Sequence, residues 1–467
     1  MTERFEGYRN RTWDNLSDFL NRLEELGELH RVKVEVDPLR EIGPISRRLN
    51  SIKGPAVLFE KVKGFTIPVV AQLLGSRRRV AIALDTSEKN LFPEMAGRST
   101  RLIPPRLVGE APCQEVLKLG AEVDLGDLPL VMNNPEDGGL YITAGHVIQK
   151  DPELGSNLAI YRMMVRSRNE LFIRLVPGHH GWAFVKKAEE RGAHSLQIAV
   201  AIGVDPTVYI ASQCTTKLGT YELEIAGGLR NKPVDVVRCK TIDVEVPACA
   251  EIILEGEVAI PPKTGREGPF GEFTGYTSEV VENERIMTVK AITHKQNPIY
   301  QNIWLGRPIH EYLHVSAMTY AVQAFHELKS RFPAVKAAYA PPSGVTMKLV
   351  IQIDSRLKYP GMVNDLLASA ISTGLWKEII AVDEDIDLFN GDEVDWAVVT
   401  RVQPDRDIFI LPGGHGIYLD PSTVSEGISA KLFIDATKKK GFRGKVVEPT
   451  EEMMLEIEAK WKAYGFR

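Results

Sequence analysis

The chain has 467 residues, 44% of them hydrophobic and 25% charged, with a formal net charge of -5. This composition supports globular units with a sizeable core and offers no electrostatic basis for a nucleic-acid partner. No apolar run approaches the roughly 20 residues that span a bilayer. The opening Met1-Thr2-Glu3-Arg4 lacks a signal-peptide core, and the four cysteines have no Cys-x-x-Cys spacing, so a cytoplasmic protein without membrane insertion, disulfide framework or zinc knuckle is expected.

Leu16, Phe19, Leu20, Leu23 and Leu26 recur at helical spacing, and Gly27 follows as a stop. Val32, Val34 and Val36 then alternate with Lys33 and Glu35 as in a strand. A short helix over 41–49 and an apolar run over 56–59 continue the α/β pattern. Prolines 104, 105, 112 and 129 interrupt the next stretch and mark a boundary. From about 130 to 320 short β-rich runs dominate, at 144–148, 195–202, 234–237, 252–254 and 286–292, with one helix over 183–191. That pattern predicts a closed or nearly closed β-barrel.

The last third returns to α/β. It predicts helices over 316–331 and 361–373, and strands over 346–353, 379–382 and 396–402. A capped terminal helix spans 450–464, with an apolar stripe of Met454, Ile457, Trp461 and Tyr464 that docks on its own domain or on a second copy. The expected architecture is multidomain α/β: an N-terminal α/β domain (1–115), a β-barrel domain (116–320), a C-terminal α/β domain (321–449) and a terminal helix (450–467) that is a candidate oligomerisation element.

The densest chemical signal is the segment from Arg266 to Tyr276, in which Gly268, Pro269, Gly271 and Gly275 surround Glu267 and Glu272. Such a segment cannot be a regular helix, and the two carboxylates converge only if the chain folds back between them. In a partly buried pocket their repulsion raises one proton affinity and creates a proton donor; on the surface they are only an acidic loop. Arg162 follows Asn157 by an odd offset, so within one strand the two face opposite ways, and a turn or bulge is needed for both to reach one ligand. Arg162 can pair with either glutamate, in a catalytic or a structural role. Asn157, the adjacent His179 and His180, and Glu222 offer oxygen and nitrogen ligands of the kind Mn²⁺ or Mg²⁺ accepts, though they lie far apart in sequence and spacing alone does not select a ligand set. Walker, Gly-x-Gly-x-x-Gly, Gly-x-Ser-x-Gly and His-Glu-x-x-His motifs are absent.

The string Asn157 to Arg162, the segment Glu222 to Gly228 and the run Glu267-Gly268-Pro269-Phe270-Gly271-Glu272 together resemble the signature of the UbiD family of reversible (de)carboxylases. Supporting stretches run from Val244 to Glu251, over Gly306-Arg307-Pro308 and over Ile434 to Thr437, so the resemblance extends through essentially the whole chain. It implies a central split β-barrel of flavin-reductase type that carries prenylated FMN, made by a separate flavin prenyltransferase. Asn157, His180 and Glu222 would hold Mn²⁺ (or Mg²⁺) at the cofactor phosphate, with K⁺ alongside. Ile160, Arg162, Ser212, Gln213 and Cys214 would line the cofactor, and Glu272 would carry the proton, positioned by Arg162 and Glu267.

The expected activity is reversible, non-oxidative decarboxylation of a small aromatic or heteroaromatic acid with release of CO₂, in a homodimer or higher homo-oligomer. A decarboxylase of a polyprenylated hydroxybenzoate and a non-catalytic flavin-binding protein are the alternatives. His310 and His314, at i,i+4 spacing, are candidates to touch the substrate, and Gly413-Gly414-His415-Gly416 is a candidate mobile pocket edge.

Overall fold

The computed structural model describes residues 13–423 and 427–465; Met1 to Arg4 lie outside them. The first helix, Leu16–Glu25, is capped by Asn15, whose side chain accepts from the Asp18 N–H at 3.0 Å, and it buries Leu16, Phe19, Leu20 and Leu23. Strand Leu29–Val36 pairs in parallel with Ala56–Val62, with helix Ile42–Ser51 as the crossover such pairing requires. Val69–Ala71 adds antiparallel, and Tyr300–Asn302 adds in parallel beyond it. A strand from far along the chain thus completes the N-terminal sheet.

The central unit is a ten-stranded sheet whose ladders are antiparallel. Its path runs through Tyr141–Ile142, Met163–Val165, Glu170–Ile173, Val281–His294, Ile252–Ala259, Ser195–Ile202 and His146–Asp151 to Gly155–Ile160. Two further strands, Val116–Leu119 and Thr264–Glu267, pair with Val281–His294. The strand that ends this path, Gly155–Ile160, precedes Met163–Val165, near the opposite edge, by only two residues. The sheet must therefore curl until Tyr161 and Arg162 join its edges. Its inward residues, among them Val147, Ile198, Val200, Ile202, Leu254 and Met287, form one buried cluster. The result is a barrel with a seam, and Arg162 lies on the seam.

The C-terminal sheet has the order Val335–Tyr339, Lys348–Ile353, Glu378–Asp383, Ile428–Asp435, Ile408–His415, with its middle three strands parallel. Helix Glu311–Arg331 packs on this sheet and on helices Leu91–Ser99 and Pro206–Ala211. Its Val315, Met318, Ala321 and Leu328 share a core cluster with Met95, Val208, Val335 and Leu366, so one apolar core runs through all three parts of the chain.

Three expectations are corrected. Residues 396–402 do not form a strand: helix Gly391–Arg401 covers nearly all of them. Asn390 caps that helix, Asp392 and Glu393 lie in its first turn, and Val394, Ala397 and Arg401 form its buried face. The Gly413-to-Gly416 segment does reach the cavity edge, through His415 and Gly416, but as the end of strand Ile408–His415, with a register shift between Leu411 and Gly414, and not as a loop. His310 is not within the helix; it is the extended N-cap residue of helix Glu311–Arg331, and neither it nor His314 lines the cavity described below. The terminal helix Glu451–Lys460, continued by the turn Trp461–Tyr464, has no buried residue, and Met454, Ile457 and Tyr464 of its apolar stripe are exposed.

Candidate active site

A cavity of about 710 Å³ opens where the barrel seam meets helix Glu311–Arg331 and the C-terminal sheet. That volume lies in the range of small-molecule and cofactor sites. Asn157, Ile160, Arg162, His180, Ser212, Gln213, Cys214, Glu222 and Glu272 all line it. Glu267 does not; it lies behind Arg162, 1% exposed. His310 and His314 are not in the lining, whereas His179 and His415 are.

The acid cluster is built by two short pieces of β-structure. Glu267 ends strand Thr264–Glu267, and Glu272 follows Phe270–Gly271, which pairs with Thr277–Ser278. The turn between them is closed by the Glu272 N–H donating to the Tyr276 carbonyl at 2.9 Å, and Gly275 takes φ +92°, a conformation that favours glycine. The chain does fold back, and both carboxylates meet one guanidinium. Arg162 donates through Nη2 to Glu267 Oε2 at 2.7 Å and through Nη1 to Glu272 Oε1 and to Ser278 Oγ, the latter at 2.9 Å. The strand carrying Asn157 ends at Ile160, and this break frees Arg162 to turn inward.

The two glutamates have different surroundings. Glu267 also accepts from the Tyr141 hydroxyl at 2.9 Å, and the Tyr141 ring packs on Phe270 with centroids 4.4 Å apart. Gly138 fits against this segment only because it has no side chain, since a Cβ there would lie 2.1 Å from the Gly268 carbonyl oxygen. Glu272 lines the cavity, and burial, partly offset by the Arg162 and Arg174 charges, raises its carboxyl above the usual range. Burial works to lower the Arg162 guanidinium, but the two carboxylates outweigh it and hold it more firmly protonated than usual.

On the other wall, Glu222 opens helix Glu222–Arg230. It accepts from the Leu158 N–H at 2.7 Å and from Thr216 Oγ1 at 3.0 Å, and burial pushes it up to about 7. His180 Nδ1 stands 4.0 Å from Glu222 Oε1. Both polar atoms of the Asn157 amide are buried without a partner, as are both of Gln213. Unsatisfied buried amides beside a carboxylate and an imidazole mark a place where something else supplies the partners. The oxygen and nitrogen donors fit a hard divalent cation and an anionic cofactor group. Among the described residues no three His, Cys, Asp or Glu side chains converge as a metal cluster. Behind this wall His146 Nδ1 lies 3.1 Å from Ser212 Oγ.

Sequence reasoning did not find Tyr141, Ser278, Thr216, His146, or the cavity-lining Tyr312, Tyr320 and Arg174. Their partners lie between 6 and 126 residues away, and no periodicity marks them.

Comparison with known proteins matches the three parts of the chain in order. Residues 20–99, 106–308 and 314–436 match the N-terminal, Rift-related and C-terminal domains of 3-octaprenyl-4-hydroxybenzoate carboxy-lyase. An uncharacterised protein of Archaeoglobus fulgidus is 34% identical over 96% of this chain and 98% of its own length. The solved structure of HmfF, a UbiD-class enzyme from Pelotomaculum thermopropionicum in complex with FMN, is 36% identical, with a TM-score of 0.87 over 94% of this chain and 98% of that one. An evolved dimeric form of the same enzyme, in complex with prFMN, is 35% identical over the same shares, with a TM-score of 0.85. Vanillic acid decarboxylase of Sedimentibacter hydroxybenzoicus in its closed form is 32% identical, with a TM-score of 0.86 over 97% of this chain and 99% of that one. With all three domain models matched in sequence order and relatives of this identity aligned end to end, the chain belongs to the UbiD family.

Proposed function

We propose that this protein is a prenylated-FMN-dependent carboxy-lyase that reversibly removes CO₂, without net oxidation, from a small aromatic or heteroaromatic carboxylic acid. The observation that carries this reading is Arg162 held between Glu267 and Glu272 on one wall of a cavity whose other wall is Asn157, His180 and Glu222. The prFMN complex of HmfF and the activity named for vanillic acid decarboxylase support the cofactor and the aromatic acid. When bound, the cofactor supplies an electrophilic centre that takes up the electron pair of the breaking C–C bond.

The protein's own side chains do the rest. Glu272, raised by burial and facing the cavity, delivers its carboxylic proton to the carbon that has lost CO₂ and removes it in the reverse direction. Arg162 positions Glu272, and Glu267, tied to Tyr141, anchors Arg162. Asn157, His180 and Glu222 would hold Mn²⁺ or Mg²⁺, K⁺ would be a further cofactor ion, and Ile160, Ser212, Gln213 and Cys214 would line the cofactor. The exposed stripe of Met454, Ile457, Trp461 and Tyr464, 40% to 52% accessible, is assigned to a second copy in a homodimer. A flavin prenyltransferase supplies the cofactor.

Expression with such a prenyltransferase, followed by an absorbance spectrum and a screen of aromatic acids for CO₂ release, tests the reading. A protein that takes up the modified flavin and releases CO₂ from none of the acids refutes it.

A further inference from the structure

Lys431 takes no part in the acid cluster or the cofactor wall, yet it is 1% exposed, and among the described residues its buried Nζ has no hydrogen-bond partner. An unpaired ammonium in that position is costly. The residue lies on strand Ile428–Asp435, at a buried position between buried Ser429 and Phe433. The neighbouring parallel strand sets Glu378 opposite Leu432, and the Leu432 N–H donates to the Lys377 carbonyl at 2.8 Å. One residue earlier on each chain, Lys377 and Lys431 therefore stand side by side. Lys377 Nζ donates to Asp420 Oδ2 at 2.6 Å and to Ser422 Oγ, whereas Lys431 Nζ donates to nothing. One carboxylate serves two amines.

This pair sits one layer behind the lip of the cavity. Trp376, Gly416 and Gly427 line the cavity, and each adjoins the pair in sequence or in space. A Cβ on Gly414 would lie 2.9 Å from Lys431 Cε, and one on Gly416 would lie 2.7 Å from Ser429 Cβ. The glycine-rich end of strand Ile408–His415 thus closes over Lys431. Burial lowers the proton affinity of this lysine below the ordinary range; Asp420 opposes that effect and the Lys377 charge adds to it. A neutral amine is a nucleophile, and whatever reaches this one has to be small and uncharged. The carboxy-lyase reaction releases such an electrophile, CO₂, on the other side of the glycine strand.

We propose that Lys431 is a carboxylation site, at which the ε-amine adds to CO₂ and becomes a carbamate held by Lys377. The Nζ lone pair forms the N–C bond, one C=O electron pair moves onto oxygen, and one N–H proton is lost to solvent. The step needs no oxidant or reductant. Lys377 has a third hydrogen beyond those given to Asp420 and Ser422, and the new anion accepts it. The inference rests on the carboxy-lyase reading only for the source of CO₂.

The test therefore supplies CO₂ directly, as isotopically labelled bicarbonate, to the cofactor-loaded full chain with no aromatic acid present. Carbamates are fixed by alkylation with triethyloxonium and mapped by peptide mass spectrometry. Lys431 should carry the label severalfold above the exposed Lys440 and Lys445. Lys431→Arg, which keeps a cation but offers no amine that adds CO₂, should lose this label. Lys377→Gln should lower it severalfold by removing the cation that faces the carbamate. A label on Lys431 no greater than on Lys440 and Lys445, or one unchanged in Lys377→Gln, overturns the inference. A labelled Lys431 in a protein that releases CO₂ from no acid would leave the site standing and remove the carboxy-lyase reading.

Discussion

Glu272→Gln isolates the proton. The amide keeps the shape of the side chain, still accepts from Arg162 Nη1 and remains 6% exposed in the same turn. It also matches the charge of the protonated acid. Fold, metal and cofactor should therefore be retained, and only the transferable proton is lost. Positioned proton transfer is worth about 10²–10⁴-fold, or roughly 3–5 kcal/mol of barrier. CO₂ release should fall by that factor, and so should exchange of the product's ring hydrogen with D₂O, which uses the same carrier in reverse. The wild type adds a pH signature. Burial raises Glu272 while Arg162 pulls the other way, so the acid stays protonated above the ordinary carboxylate range, and its proton-donating step should weaken as pH rises through that raised value. Turnover, exchange and the pH profile are measured on fully loaded enzyme. Near wild-type rates in both assays for Glu272→Gln would refute this role.

Asn157→Ala removes the amide whose two polar atoms lack protein partners, and should lower Mn²⁺ content by elemental analysis while leaving the circular dichroism unchanged. Arg162→Ala leaves Glu267 and Glu272 buried without their cation, so the melting temperature should fall along with activity, by a destabilisation of about 3–5 kcal/mol. Glu311 is fully buried, accepts from the Leu74 N–H at 3.1 Å, and is pushed by burial up to about 7. The folded state therefore holds this proton more tightly than the unfolded chain, a stabilisation complete below the ordinary Glu range and lost, by up to about 3 kcal/mol, as pH rises through 7. Denaturant midpoints compared at pH 5 and pH 8 should show Glu311→Gln removing that loss. Deleting residues 450–467 should convert a dimer to a monomer in sedimentation at micromolar concentration, and an unchanged mass would count against the terminal helix as the interface.

Periodicity carried the elements that local packing decides. Strand Ser195–Ile202 and the opening helix lie where the apolar spacing puts them, because their neighbours in sequence are also their neighbours in burial. Residues 396–402 misled because Val398, Val399 and Val402 favour a strand, yet Val399 is 80% exposed, and the start of the helix is decided by Asn390 and the acidic turn upstream. At the site, the glycine-rich spacing around Glu267 and Glu272 revealed a fold-back but not what it folded onto. Tyr141 and Ser278 reach the cluster from 126 residues before Glu267 and 116 after Arg162, and neither carries a local signal. Of the stretch that holds His310 and His314, the cavity is lined by Tyr312 and by neither histidine, because the chain enters the helix extended at His310.

The asymmetry between the two carboxylates follows from this geometry. A guanidinium buried with two glutamates carries one negative charge too many if both are ionised, and desolvation makes that excess costly. The cost falls when one glutamate takes a proton, and the surroundings select which. Glu267 has two donors, Arg162 Nη2 and the Tyr141 hydroxyl, each satisfied only by an acceptor, and it is sealed from the cavity. Glu272 shares a single Arg162 nitrogen with Ser278 and opens onto the cavity. In the proposed reaction the proton is carried by Glu272, the carboxyl that burial raises and that faces the cavity, and Arg162 holds it in position. In that proposed reaction Tyr141, bonded to Glu267 and not to Glu272, helps to decide which carboxylate is the acid.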